Sequence, residues 1–168
     1  MTSMPKISVE WQPFAQLSTG ALYELLRFRQ GIFVVEQRSP YPDLDGVDQE
    51  AWHLLLWAEG ALGGYLRLAP MPGPPPRLNL GRIAVAIHLR RCGIGRMMME
   101  EALSFCRERH PAQPIILGAQ LHLVPFYESF GFAPVSEPYD DFGVMHISMA
   151  MPPQCLGNQI ASSLRSSQ

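Results

Sequence analysis

Seven residues in the middle of the chain carry the clearest chemical signal, and they read Arg90-Arg91-Cys92-Gly93-Ile94-Gly95-Arg96. Two glycines one residue apart allow a tight turn and a close approach of the backbone to a ligand. Apolar residues at helical spacing follow the second glycine, and the start of a helix offers unpaired N–H groups with a partial positive charge. Together with the three arginines, this arrangement predicts a binding site for a pyrophosphate group.

Two common phosphate-binding motifs do not fit this stretch. A Walker A loop requires lysine and then serine or threonine after its last glycine, but Arg96 and Met97 follow Gly95. A dinucleotide fingerprint requires a third glycine or alanine where Met98 stands. The remaining pattern is arginine, two residues and then Gly-x-Gly, after a predicted strand at residues 80–85. A glycine-rich turn with exposed arginines and no ligand is the other interpretation.

The elements that position this turn follow from the periodicity of apolar residues. The predicted strands are residues 7–11, 52–58, 63–68, 80–85, 115–119, 132–135 and 146–151, and the predicted helices are residues 18–34, 95–110 and 123–130. The long second helix separates two strands, which are therefore expected to be parallel neighbours. This order of elements predicts an α/β (α+β) fold.

Composition limits the class of protein and its partners. A chain of 168 residues predicts one domain at residues 1–151, followed by a Pro-, Gly- and Ser-rich tail at 152–168 that we expect to be loosely ordered. The net charge of −2 argues against nucleic-acid binding, and the absence of a long apolar run argues against a membrane span. The three cysteines lack metal-ligand spacing, which predicts a cytoplasmic protein with reduced thiols and no metal.

A loop of unusual composition follows the first predicted helix. Two prolines and an Asp-Gly pair exclude a continuing helix there. The loop carries one aromatic residue, Tyr41, and four acids: Glu36, Asp43, Asp45 and Asp48. A solvated loop is one interpretation, and a loop over a cleft that receives a cationic amine is the other.

A second motif lies on the last predicted helix and reads Phe126-Tyr127-Glu128-Ser129-Phe130-Gly131-Phe132. In this order, the two motifs resemble those of the GCN5-related N-acetyltransferases (GNATs), which bind acetyl-CoA. The stretch from Arg29 to Gln37 and the ending at residues 141–149 are similar to the ElaA-type subgroup. The resemblance covers about residues 7–151. It implies the GNAT fold, a mixed, mostly antiparallel twisted sheet of six or seven strands with helices on both faces and a splayed parallel pair that binds acetyl-CoA.

The resemblance implies an acetyl-CoA-dependent N-acetyltransferase that acts on a primary amine of a small molecule or peptide, in a ternary complex. It also implies that the backbone of Ile83, Ala84 and Val85 pairs with the pantetheine arm while residues 90–96 hold the pyrophosphate. Gln120 stands where many members have asparagine, and Tyr127 is a further candidate contact. Arg91 departs from the pattern, because many members have glycine at that position.

Seven residues are candidates for the chemistry or for contact with the acceptor. Tyr127 is the candidate general acid, because a phenol of pKa about 10 and a thiol of about 8.5 are close enough for proton transfer. A core tyrosine is the other interpretation. Glu36 and His146 are the first candidates for a general base, although an α-amine could react through a water chain alone. The acceptor-binding candidates are Glu36, Tyr41, Asp43, Asp45 and His53.

Two other functions stay open at this stage. The first is an inactive acyl-CoA-binding sensor or interaction module on the same fold, which an intact Tyr127 argues against. The second is an acyl-homoserine-lactone-synthase-like enzyme, because Arg29-x-x-x-Phe33 followed by an acidic loop is similar to the start of that family. The glycine turn favours CoA over a carrier protein. Both a monomer and a homodimer remain compatible with the sequence.

Overall fold

The computed structural model describes residues 6–153. Eight strands in that range are β1 (Ile7–Pro13), β2 (Trp52–Ala58), β3 (Ala61–Met71), β4 (Arg77–Val85), β5 (Ile115–Gln120), β6 (Ala133–Pro134), β7 (Tyr139–Asp141) and β8 (Val144–Met151). The helices are α1 (Thr19–Arg29), which continues as a π-helical segment (Gln30–Glu36), α2 (Ile94–Arg109) and α3 (Val124–Glu128). The strands form one mixed sheet in the order β1-β2-β3-β4-β5-β8-β6, with β7 paired to β8. The mixed fold class is confirmed, with more strands than the predicted six or seven.

The chain forms two compact units. The first contains the chain up to Ala69 together with Gly81–Ala102, and the second contains Pro70–Leu80 and the chain from Leu103 onward. β4 contributes its first residues to the second unit and its last five to the first. The prediction of a single domain stays a prediction. All but the first two residues of the predicted tail, 152–168, lie outside the described residues.

In the first unit, a cap and an apolar core fix the first helix. The Ser18 hydroxyl accepts a hydrogen bond from the N–H of Ala21 at 3.0 Å, which satisfies one of the unpaired donors at the start of α1. Leu25 of this helix packs in a buried cluster with Leu55, Leu62 and Tyr65. The helical path ends with the π-helical segment at Glu36, two residues beyond the predicted end. Glu36 is therefore placed by a helix rather than by a loop.

A glycine allows close packing between α2 and β3 in the same unit. A Cβ added to Gly64 would lie 2.5 Å from the sulfur of Met98, so a larger residue would force the Met98 side chain to shift. The β2–β3 hairpin turns at Glu59 and Gly60, whose φ angles of 51° and 81° are both left-handed. The packed hairpin and helix support the turn at residues 90–96.

In the second unit, the predicted parallel strand pair is confirmed. Leu78 pairs with Ile115 and Asn79 with Ile116 at the start of β4 and β5. β8 runs antiparallel to β5 from Ile115↔Met151 to Gln120↔His146. The sequence analysis missed β7, because this strand has only three residues and two of them are acidic. None of the helices in residues 6–153 has the length and hydrophobicity needed to cross a bilayer.

Candidate functional site

The glycine turn leads directly into the first turn of α2. Arg91 has a φ of 62° and Gly93 a φ of 80°, so two residues of the turn are left-handed. The N–H of Met97 donates to the carbonyl of Gly93 at 3.0 Å, which closes the first helical turn on that glycine. A Cβ added to Gly93 would meet nothing within 4 Å. The start of the helix therefore lies at an open turn of the kind that binds anions.

The side chains of this turn divide into exposed and buried groups. Arg91, Cys92 and Arg96 are exposed, whereas Ile94 is buried. Ile94 anchors the start of α2 in the core, so only its backbone could contribute to ligand binding. The Cys92 thiol donates a weak hydrogen bond to the carbonyl of Arg90 at 3.5 Å.

Arg90 joins the turn to the end of the π-helical segment. Its Nη1 and Nη2 atoms donate to the two carboxylate oxygens of Glu36 at 2.6 and 2.9 Å, and its Nε atom donates to the carbonyl of Val85 at 2.9 Å. Both side chains of the ion pair are 37% exposed. The structure therefore brings together a predicted pyrophosphate ligand and a predicted base. In this state the Glu36 carboxylate is already bound by a cation.

The acidic loop is tied down by arginines, and Asp43 lies at its centre. The Nε atoms of Arg29 and Arg82 donate to opposite carboxylate oxygens of Asp43, each at 2.9 Å. The Nη2 atoms of the same arginines donate to the backbone carbonyl of Asp43 at 2.8 and 3.0 Å. The Asp43 side chain is only 5% exposed. Bidentate charge-assisted contacts of this kind fix a loop tightly.

Asp45 and Asp48 complete the ion-pair cluster. Arg29 and Arg67 both donate to one carboxylate oxygen of Asp48, at 2.7 and 2.8 Å. Arg67 also donates to both oxygens of Asp45, at 2.8 and 2.7 Å, while Arg82 donates to Asp45 at 3.0 Å. Although burial alone would raise them, hydrogen bonds from the arginines hold the pKa values of Asp45 and Asp48 below their usual range.

The ion-pair cluster bears on the acceptor-binding role that the sequence suggested for Asp43 and Asp45, which stays a prediction. Three arginine charges balance three aspartate charges, so the loop has no spare negative charge there for a cationic amine. The carboxylates hold the loop against the strands of the first unit instead. Tyr41 is half-buried, and its ring centre lies 4.8 Å from the guanidinium carbon of Arg82. Of the loop residues predicted to bind an acceptor, Asp43 is buried, whereas Tyr41 and Asp45 keep exposed surface.

His53 is a structural residue of the same cluster. Its side chain is fully buried, with Nε2 at 2.9 Å from the carbonyl of Asp48 and Nδ1 at 2.7 Å from the Tyr65 hydroxyl. A carbonyl can only accept, so Nε2 carries the proton and Tyr65 donates to Nδ1. Burial lowers the pKa of His53, which keeps the ring neutral. No part of the His53 side chain reaches the surface, and its predicted contact with an acceptor stays a prediction.

In the second unit, His146 lies beside an aromatic ring and a glycine. Its Nδ1 atom donates to the carbonyl of Val144 at 2.8 Å, so the neutral ring leaves Nε2 as an acceptor. The Tyr139 ring stacks on His146 with centres 6.1 Å apart. A Cβ on Gly118 would lie 3.0 Å from the Tyr139 hydroxyl, and Gln120 pairs directly with His146. Tyr139 was missed by the sequence analysis because it lies on the short strand β7.

Tyr127 lies on α3 among aromatic residues. Its side chain is 5% exposed, and its ring contacts the edges of Phe126 and Phe132 at centre distances of 5.2 and 6.3 Å. Burial raises the pKa of Tyr127 to about 12. The phenol therefore keeps its proton at neutral pH. A proton held this tightly is better suited to a hydrogen bond with a thiolate than to complete transfer.

Comparisons with known proteins decide the family. A family model described as an acetyltransferase (GNAT) domain matches residues 33–152. The chain belongs to the GNAT acetyltransferase family. Protein ElaA of Escherichia coli is 40% identical over 146 residues, which cover 84% of this chain and 95% of ElaA. The resemblance to the GNATs and to their ElaA-type subgroup is therefore confirmed.

Solved structures agree with this assignment to the GNAT family. The crystal structure of Escherichia coli ElaA matches with a TM-score of 0.80 and 38% identity over 86% of this chain and 99% of ElaA. An acyl-CoA N-acyltransferase from Pseudomonas aeruginosa matches with a TM-score of 0.79 and 34% identity over 86% of this chain and 99% of its own. A CoA-dependent acyl-homoserine lactone synthase matches with a TM-score of 0.76, covering 90% of this chain and 87% of its own, but at 18% identity it shares the fold alone. Membership of this GNAT family supports acyl transfer as the class of chemistry.

Proposed function

We propose that this protein transfers an acetyl group from acetyl-CoA to a primary amine of a small molecule or peptide, by direct attack in a ternary complex. The observation that carries the proposal is the open turn at Arg91–Gly93, which leads into α2 in a chain of the GNAT family. The N–H groups at the start of a long helix suit the pyrophosphate of CoA, because they add directed donors to a favourable dipole.

The backbone of Ile83, Ala84 and Val85 is proposed to pair with the pantetheine arm. An extended arm can satisfy strand N–H and C=O groups in the way that an added strand does. The carbonyl of Val85 already accepts a hydrogen bond from Arg90, so it is less available to the arm. A backbone N–H in this segment would also polarise the thioester carbonyl as negative charge develops on its oxygen. Gln120 is a proposed further contact with CoA.

The proposed chemistry needs one proton acceptor and one proton donor. The amine nitrogen attacks the thioester carbon, the carbon–sulfur bond breaks, and the CoA thiolate must gain a proton. His146 is the proposed base, because its bond to the Val144 carbonyl leaves Nε2 able to accept the amine proton. Tyr127 is proposed to donate a hydrogen bond or proton to the leaving sulfur. Glu36 is the weaker candidate base, since Arg90 already binds it.

The acceptor is proposed to be an amine of modest basicity. A lysine amine of pKa about 10.4 is almost entirely charged near neutral pH, whereas an α-amine near 7.7 has a substantial neutral fraction. Asp43, Asp45 and Asp48 are neutralised by arginines, and Glu36 is bound by Arg90. These four acids therefore offer little spare charge to attract a strongly basic amine. Tyr41 is the partly exposed aromatic residue of the loop that is proposed to contact the acceptor.

Replacing Gly93 by aspartate tests the proposed pyrophosphate site. The change adds a Cβ to a residue whose φ is 80° and places a negative charge at the turn. We expect acetyl-CoA affinity to fall at least about tenfold, because the new carboxylate opposes the phosphates and competes for the same N–H groups. Isothermal titration calorimetry on the folded variant measures this effect.

Gly60→Asp is the matched control for that experiment. Gly60 has a φ of 81°, and a Cβ there would also meet nothing within 4 Å. The two substitutions therefore add the same charge and a similar backbone cost, but Gly60 lies in the β2–β3 turn. We expect the control to bind acetyl-CoA as the wild type does. Equal affinity in both variants would show that the turn does not bind the pyrophosphate.

Replacing Glu36 by glutamine separates two roles of the Glu36–Arg90 pair. Removing the carboxylate frees Arg90 and removes a charge that repels phosphate, so we expect acetyl-CoA affinity to rise by about two- to tenfold. If Glu36 were instead the general base, kcat would fall by about 10²–10⁴. The control is Glu24→Gln, because Glu24 pairs with the exposed Arg27 on α1. Unchanged affinity and unchanged kcat for Glu36→Gln would exclude both roles.

A further inference from the structure

Arg82 combines an unfavourable backbone conformation with a side chain that donates several hydrogen bonds. Its φ of 54° lies in the left-handed region, although the residue stands inside β4. A residue with a Cβ avoids this region, because the Cβ comes too close to the following carbonyl oxygen. A left-handed residue also turns a strand locally, as in a β-bulge. Such a conformation persists only where the surrounding contacts hold it.

The contacts of the Arg82 side chain can hold its backbone in the left-handed conformation. Nε donates to a carboxylate oxygen of Asp43 at 2.9 Å, and Nη2 donates to the Asp43 carbonyl and to Asp45, both at 3.0 Å. The Tyr41 ring covers the guanidinium at 4.8 Å. Two carboxylates, one carbonyl and one ring therefore fix the direction of a single side chain.

The partners of Arg82 are themselves fixed within the first unit. Arg29, fully buried on α1, binds the other carboxylate oxygen of Asp43 and its carbonyl. Arg67 on β3 binds both oxygens of Asp45. The acidic loop is thus held by other arginines besides Arg82. Movement of the Arg82 backbone would have to break its own charge-assisted contacts with Asp43 and Asp45.

We propose that Arg82 is a positioning residue. The clamp formed by Asp43, Asp45 and Tyr41 holds its backbone left-handed and thereby sets the direction of Ile83, Ala84 and Val85, which follow it. The inference rests on the proposed function, in which this segment pairs with the pantetheine arm. Arg82 acts through the backbone and need not touch the ligand.

Two substitutions of Arg82 separate the side-chain clamp from the backbone conformation. Both Arg82→Ala and Arg82→Gly remove the clamp, but only glycine adopts a φ of 54° without a steric cost. We expect acetyl-CoA affinity to fall at least tenfold in the alanine variant and to stay within about threefold of the wild type in the glycine variant. At an ordinary strand residue, the glycine variant would lose more acetyl-CoA affinity than the alanine variant, because glycine is the poorer strand former.

Glu59 provides a matched pair of control variants. It is exposed, has a φ of 51° and lies in the β2–β3 turn of the same unit. Glu59→Ala and Glu59→Gly therefore differ in their preference for a left-handed φ just as the two Arg82 variants do, but at a position outside β4. We expect neither control variant to change acetyl-CoA affinity.

A ligand-free measurement keeps this test independent of the proposed function. NMR amide shifts of Ile83, Ala84 and Val85 should move in Arg82→Ala and stay near the wild-type values in Arg82→Gly. Wild-type-like shifts and affinity in a folded alanine variant would overturn the inference, as would equal losses in both variants. If the wild type itself does not bind acetyl-CoA, the proposed function fails, and the shifts alone decide whether Arg82 positions the segment. If neither Arg82 variant folds, the same amide shifts are measured in Asp45→Asn, which weakens the clamp. Changed shifts would support the positioning role of Arg82, and unchanged shifts would overturn it.

Discussion

Replacement of Arg29 by methionine is expected to lower the free energy of unfolding by about 3–5 kcal/mol. Arg29 is fully buried and donates to the carboxylates of Asp43 and Asp48 and to the carbonyl of Asp43. Methionine fills a similar volume but leaves those acceptors without one of their donors. Urea or thermal unfolding monitored by circular dichroism measures the loss.

The control for that variant is Arg27→Met, two residues earlier on the same helix. The Arg27 side chain is 67% exposed and pairs only with Glu24 in the described contacts. An exposed pair of this kind contributes about 0–1 kcal/mol, so we expect almost no change. Equal stability of the two variants would show that the buried cluster does not stabilise the fold.

The stability difference between wild type and Arg29→Met should depend on pH. The folded pKa of Asp48 lies below its unfolded value of about 3.9. Its contribution is therefore present above about pH 4 and is lost as the pH falls through the folded pKa. Removing one of its arginine donors weakens that contribution. We expect the difference in free energy of unfolding between wild type and variant to be largest at neutral pH and to decrease below about pH 4.

Replacement of Tyr127 by phenylalanine is expected to reduce kcat by about 10–10² and to leave acetyl-CoA affinity within about 1 kcal/mol of the wild type. The ring and its contacts with Phe126 and Phe132 remain, so the packing of α3 should survive. Loss of the hydroxyl removes the proposed donor to the leaving sulfur. Water can still protonate a thiolate of pKa about 8.5, which places the loss at the lower end of general-acid effects.

The matched measurement uses Tyr23→Phe, which removes the same hydroxyl from an exposed tyrosine on α1. That variant should keep wild-type kcat. Full kcat in Tyr127→Phe would make Tyr127 a packing residue, and protonation of the thiolate would pass to solvent. Lost affinity with normal kcat would instead make the residue a contact for acetyl-CoA.

Local patterns explain why the sequence predicted the glycine turn and the main strands. The turn at Gly93 needs only neighbouring residues, and the parallel pairing of β4 with β5 follows from a long helix between two strands. Prediction failed where elements were short or polar. β7 has three residues, two of them acidic, and no alternation of apolar residues marks it.

The ion-pair cluster could not be read from local patterns, because its partners lie 14 to 39 residues apart. One signal was available. Arg67 stands between Leu66 and Leu68 in an apolar strand, and a charge in such a strand must find a partner when it is buried. The acidic loop supplied that partner. Neither interpretation of the loop, as solvated or as acceptor-binding, took these arginines into account.

The most direct test of the proposed function is acceptor-dependent release of free CoA thiol. Purified protein is incubated with acetyl-CoA and a panel of α-amines, weakly basic small-molecule amines and lysine side-chain amines, and the thiol and the amide are both quantified. The proposed function predicts that at least one amine of modest basicity releases thiol in equal amount to amide, and that Gly93→Asp reduces the release at limiting acetyl-CoA. Wild-type protein that binds acetyl-CoA but releases no thiol with any amine would contradict it, and would favour an acyl-CoA sensor instead.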